Sequence, residues 1–129
     1  MFFMKRTLNQ IFKHMLEDCT DICDGVKRVK SRDGMDSDSL IRKGIVHSIL
    51  NLGELTKLLE KRIDITDSNV NWKGLKGMRD IAAHRYHSMN SEIIWEVAVN
   101  HIPDIYAYLS EKYKSLSVKG LKEEFEDDI

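Results

Sequence analysis

The chain has 129 residues, a length that fits one domain with one real core. About a third of it is charged and two fifths apolar, with a single proline and few glycines, which excludes a disordered or fibrous chain and points to long, uninterrupted helices. The formal charge of −1 hides an uneven spread: Glu123 to Ile129 carries five acids and no base, and without it the rest would stand at +4, so the bulk balance excludes no polyanionic partner.

The opening Met1-Phe2-Phe3-Met4 is too short for a leader and is followed at once by Lys5 and Arg6, and no run reaches membrane length. A cytoplasmic, membrane-free location is the default expectation. Leu8, Phe12, Met15, Cys19, Ile22, Val26 and Val29 then step by four and three, the stripe of a bundle helix, widened by Ile11, Leu16 and Cys23. Cys19 and Cys23 read as reduced, apolar side chains, since no further ligand stands at metal spacing. Ser31-Arg32-Asp33-Gly34 reads as a turn.

Asp36, Ser37 or Asp38 can cap the second long helix, whose stripe is Ile41, Ile45, Ser48, Leu52, Leu55 and Leu59, with Ile49 and Leu58 beside it. Gly44 and Gly53 lie inside it, and close approach of another helix is one compensation for their cost. The short connection predicts an antiparallel hairpin of the two. After a polar stretch from Lys61 to Val70, Asn71 can cap a third helix with Trp72, Leu75, Met78 and Ala82 on its apolar face, fading near His84 to His87. Asn90 or Ser91 can cap a fourth, with Ile93, Ile94, Val97 and Ala98 apolar. Pro103 suits the first turn of a fifth, in which Ile105, Leu109 and Tyr113 face inward. The expectation is an all-α, up-down bundle of about five helices over residues 1–116, followed by an acidic tail, 117–129, outside the packed domain.

The chemistry concentrates in Arg79-Asp80-Ile81-Ala82-Ala83-His84-Arg85-Tyr86. Asp80 and His84 are four apart, hence on one helical face, where the carboxylate can orient the imidazole and favour its protonated form. Arg79 lies about 140° round an ideal helix from His84. Both can reach one phosphate if the helix loosens at His84 or if they line a groove. Lys73, Lys76 and Arg85 add positive charge, leaving +3 from Trp72 to Tyr86. Cleavage of RNA without metal needs a base for the ribose 2′-OH, an acid for the departing 5′ oxygen and a cation on the phosphate. Histidine and arginine supply these functions. One histidine cannot easily act as base and acid in one concerted step, whereas a twofold dimer would bring two to a single cleft. Taken alone, such an arginine–histidine pair is more often a solvated arginine and a capping or core histidine. His14, His47, His87 and His101 show no ligand spacing, so no metal site and no cofactor is expected. Trp72 and Trp95 read as core.

The run Gly77-Met78-Arg79-Asp80-Ile81-Ala82-Ala83-His84-Arg85-Tyr86 resembles the signature of HepT-type toxins of the HEPN superfamily: arginine, four residues, histidine, any residue, tyrosine, with Asp or Asn after the arginine. Leu52-Gly53-Glu54-Leu55-Thr56-Lys57, Trp72, Ile94-Trp95-Glu96 and Ile102-Pro103-Asp104 follow the family's order, so the likeness covers roughly residues 5–115. The resemblance implies a homodimer with an interfacial ribonuclease site, with Arg79 and His84 in catalysis and Asp80 in support; the charge of Lys73, Lys76 and Arg85 makes these the candidate RNA contacts. It further implies a toxin–antitoxin pair in which a nucleotidyltransferase antitoxin adenylylates Tyr86. The second-helix positions where the family carries basic and amide residues read His47 and Ser48 here. A non-catalytic helical module that binds such a nucleotidyltransferase is the alternative from another functional class.

Overall fold

A computed structural model describes residues 6–85 and 89–118, with 79–85 described by their backbone alone. Every regular element among the described residues is helical: α1 (Leu8–Val29), α2 (Arg32–Ser37), α3 (Ser39–Leu59), α4 (Trp72–Arg85), α5 (Ser91–Glu96) and α6 (Ile102–Val118), the last two joined by a π-helical turn, Val97–His101.

The ends of α1 arise from local chemistry. Thr7 and Gln10 form a reciprocal capping box: the Gln10 N–H donates to Thr7 Oγ1 at 3.1 Å, and the Thr7 N–H to Gln10 Oε1 at 2.8 Å. Lys30 stops the helix in the left-handed region, at φ 70°. In place of the simple turn expected at Ser31 to Gly34, the chain forms the short helix α2. Ser31 caps it, accepting from the Gly34 N–H at 3.0 Å, and α2 buries Met35 in the core. Gly34 is required there, because a Cβ would lie 2.1 Å from the Val29 carbonyl oxygen. Asp38 then caps α3 through the Ile41 N–H at 3.1 Å.

Helices α1 and α3 form the expected antiparallel hairpin. Asp18 near the middle of α1 meets Asn51 of α3, while Gly25 further along α1 meets Ile45 and Ile41 earlier in α3. The core runs along this seam: Leu8, Phe12, Met15, Cys19 and Ile22 pack with Ile45, Ile49, Leu52, Leu55 and Leu59. Of Gly25 and Gly44, it is Gly25 that admits a neighbouring helix. A Cβ on Gly25 would come within 3.0 Å of Ile45 Cγ1, whereas one on Gly44 would meet nothing within 4 Å. Leu58 is exposed, so the stripe of α3 is narrower than its sequence suggests. Both cysteines are free; Cys19 is buried, which pushes its thiol up to about 12, and Cys23 is half-buried.

Helix α4 packs on α3, and α6 on α1. The connection before α4 is anchored by Ile65 and by Trp72, whose Nε1–H donates to Ser68 Oγ at 2.9 Å and whose ring meets Tyr108 edge-on at 5.7 Å. Trp72 is therefore core, as its spacing predicted.

The fourth helix and the fifth, expected to carry Pro103 in its first turn, are one continuous helical run, from Ser91 to Val118. Asn90 caps it, accepting from the Glu92 N–H at 2.7 Å. At its middle the Ile102 N–H bonds to the Val97 carbonyl five residues back. Pro103 explains the widening: its ring would collide with the carbonyl four residues earlier, that of Val99, and it has no N–H to give. Ile94, Ala98, Ile102, Ile105 and Leu109 are buried, but Ile93 is 54% exposed. Tyr113 is half-buried, with its ring 5.3 Å from Phe12 and its hydroxyl bonded to Asn9. With this run counted as one, the described residues form five helices. Residues 119–129 of the expected acidic tail lie outside the described residues.

Candidate active site

Helix α4 begins at a cap that its sequence announces. Asn71 Oδ1 accepts from the Gly74 N–H at 2.9 Å. From there the backbone is helical through Arg85, so Asp80 and His84 sit one turn apart on the same helix. The helix does not end before His84. The described backbone thus shows no loosening at His84. Tyr86 and His87 lie outside the described residues.

The flanking cations differ in their surroundings. Lys73 is exposed on the first turn of α4. Lys76 is held by both carboxylate oxygens of Glu60, at 2.5 and 2.7 Å, in a contact that ties α4 to the end of α3. On α3, His47 is exposed and Ser48 buried; Glu54 is exposed and partnered. Next to α4, between it and the α5–α6 run, lies a cavity of about 630 Å³ whose lining includes Leu75, Met78, Ile93, Val97 and Ile105.

Two polar clusters were not visible in the sequence. In the first, Asn51 of α3 donates to Asp18 Oδ2 at 2.8 Å and its amide nitrogen lies 2.9 Å from His14 Nε2. Asp18 is only 6% exposed, and burial lifts its carboxyl above the ordinary carboxylate value, with Asn51 and His14 pulling it back in part. In the second, Arg42 of α3 gathers acceptors from two other places: the Met89 carbonyl at 3.1 Å, Ser91 Oγ at 3.4 Å and Asp36 Oδ1 at 3.7 Å. The Met89 and Ser91 partners are distant in sequence, and no short-range spacing signals them. No group of three or more metal-ligating side chains gathers among the described residues. No described helix is long and apolar enough to cross a membrane.

The family model for HepT-like ribonucleases matches residues 14–111. The chain is 31% identical over 106 residues to "Putative RNase TTE0752" of Caldanaerobacter subterraneus subsp. tengcongensis, covering 82% of this chain and 94% of that one. It is 28% identical over 112 residues to "Putative RNase MJ0127" of Methanocaldococcus jannaschii, covering 87% and 92%. No solved structure gave a match. A family match spanning most of the helical bundle, α4 with Arg79 and His84 included, places this chain in the HepT-like ribonuclease family.

Proposed function

We propose that the protein is a metal-independent endoribonuclease, the toxin of a toxin–antitoxin pair, acting as a twofold dimer. The observation that carries this reading is the order Arg79, Asp80, His84 on one regular helix, followed by Tyr86, in a chain of this family. In the reaction His84 takes the proton of the ribose 2′-OH, and the partner subunit's His84 returns one to the departing 5′ oxygen. Arg79 grips the phosphate as charge builds on it, and Asp80, one turn before His84, holds the imidazole in orientation. Lys73 and Arg85, with Lys76 behind them, draw the RNA backbone towards α4. A nucleotidyltransferase antitoxin silences the site by placing AMP on Tyr86, which adds bulk and negative charge where the RNA phosphate must sit.

The test is cleavage of cellular RNA by the purified dimer, with and without EDTA. Cleavage that persists in EDTA and is abolished by His84→Ala, with unchanged circular dichroism, is expected. Cleavage retained by that variant, or lost to EDTA, would overturn the mechanism.

A further inference from the structure

The cavity of about 630 Å³ between the first half of α4 and the α5–α6 run has no part in the proton transfers or the phosphate grip described above. Its volume is that of a small-ligand site. The lining is largely apolar, with Leu75 and Met78 from α4 and Ile93, Val97 and Ile105 from the other run, and Ile93 is 54% exposed. The α5–α6 run reaches the cavity through its π-helical turn, whose first and last residues, Val97 and His101, both line it. Turns of this kind recur at functional sites. Two polar side chains of the lining have complementary capacities. Asn71 Oδ1 already accepts from the Gly74 N–H at 2.9 Å, which fixes the amide and leaves its NH2 group as a donor. Gly74 makes room for that group, since a Cβ there would lie 2.5 Å from Asn71 Nδ2. Asp104 of α6, also in the lining, is exposed and makes no hydrogen bond or ion pair among the described residues. A flat ring with apolar faces and a polar edge suits such a lining, and the carboxylate selects the edge. Guanine offers it two adjacent donors, N1–H and the 2-amino group, beside a carbonyl that can accept from an amide. Adenine sets a ring-nitrogen lone pair beside its one amino group, and a phosphate carries the same charge sign as Asp104.

We infer that this cavity is a guanine-binding subsite, which holds an unpaired guanine of the RNA next to the scissile phosphate: Asp104 accepts from N1–H and the 2-amino group, Asn71 donates to the base carbonyl, and Met78 and Ile93 cover the ring. The inference rests on the ribonuclease reading above. The placement suits it. Met78 directly precedes Arg79, and His84 stands further along the same regular helix, about 9 Å from Met78 at 1.5 Å per residue. One nucleotide, from base to phosphate, spans that separation.

Two measurements test it, one of them independent of cleavage. The first adds GMP or AMP to the full chain labelled with carbon-13 in its methionine and isoleucine methyl groups, the Met78 and Ile93 resonances being assigned by their loss in Met78→Leu and Ile93→Val. GMP should shift both resonances saturably, and AMP should bind at least about tenfold more weakly, the discrimination expected when a hydrogen bond to a charged group is lost. Asp104→Asn should remove that preference. The second maps the cuts made in a single-stranded RNA by primer extension. They should fall beside unpaired guanines, and Asp104→Asn should scatter them over the other bases. Resonances unmoved by millimolar GMP, equal affinity for GMP and AMP, or cuts indifferent to guanine would overturn the inference. Resonances that GMP leaves in place but that dilution of the dimer shifts would give the groove to a second copy, and so overturn it as well. If the wild type cleaves no RNA, the ribonuclease reading fails, and the methyl resonances still decide whether the cavity takes guanine.

Discussion

Asn51 of α3 donates its side-chain amide to the buried carboxylate of Asp18 on α1, at 2.8 Å, across the seam between the two long helices. Burial dominates the Asp18 environment and raises its pKa above the ordinary 3.8. The folded chain therefore holds this proton more tightly than the unfolded chain does. Stability from the group is full below the unfolded value and is lost as the pH rises through the raised one. Asp18→Asn keeps an acceptor for Asn51 and removes the buried charge. It should raise Tm at pH 7 by about 2–5 °C, taking a gain of about 1 kcal/mol, and the gain should vanish near pH 3. Thermal melts across that range check it; a loss of Tm at pH 7 would show that the charge itself holds the seam.

Two of the helical glycines of the hairpin, Gly44 and Gly25, should respond in opposite directions. Gly44→Ala places a methyl group in open space and should stabilise by about 0.5–1 kcal/mol through helix propensity. Gly25→Val drives its side chain into buried Ile45 and should destabilise by about 1–3 kcal/mol. Urea titrations with unchanged m values measure both. A stabilised Gly25→Val would mean that the two helices part without cost.

The thiols should separate by reactivity. At pH 8 the half-buried Cys23 should label with a disulfide reagent, whereas Cys19, buried and with its thiol raised to about 12, should label only as the fold opens. Mass spectrometry of the labelled peptides distinguishes them. Equal labelling rates would contradict the packing of α1.

Among the cations of α4, Lys73 and Lys76 should contribute unequally to RNA binding. Lys73→Ala should weaken binding to any RNA sequence and lower the salt dependence by about one unit of slope. Lys76→Ala should do less to binding, because Glu60 already engages that ammonium, and should instead loosen α4 from α3. Filter binding at several salt concentrations, beside thermal melts, separates the two effects. The opposite order would mean that RNA displaces Glu60.

Adenylylation is tested apart from cleavage. Incubation with ATP, magnesium and a cognate nucleotidyltransferase should add AMP mass to the peptide carrying Tyr86 and abolish RNA cleavage, and Tyr86→Phe should prevent both changes. Mass gained on another peptide would remove Tyr86 from the proposed switch.

The four-three stripes of α1 and α3, the Asn71 cap and the core place of Trp72 are legible in the sequence, and the Asp38 and Asn90 caps are narrowed there to three candidates and two. Each depends on residues within about one helical turn of one another, and the repeating apolar spacing alone fixes which face turns inward. The candidate site is a short string on one helix, and resemblance to a family, not spacing, singles it out in the sequence.

What only the tertiary structure decided depends on residues far apart in the chain. Nothing near Gly25 says that Ile45 will press on it, and nothing near Arg42 says that Met89 and Ser91, 47 and 49 residues on, will return to it. The fusion of the last two helices is a middle case: Pro103 announces a disturbance, but the burial of Ile94, Ala98, Ile102 and Ile105 along one face keeps the run continuous through it. The sequence by itself thus determined the elements and the residue types at the candidate site, because caps and periodicity act locally. The packing of α2, α3 and α5 around Arg42 was decided by the folded chain alone, because a half-buried guanidinium takes its acceptors from whichever segments the core brings to it.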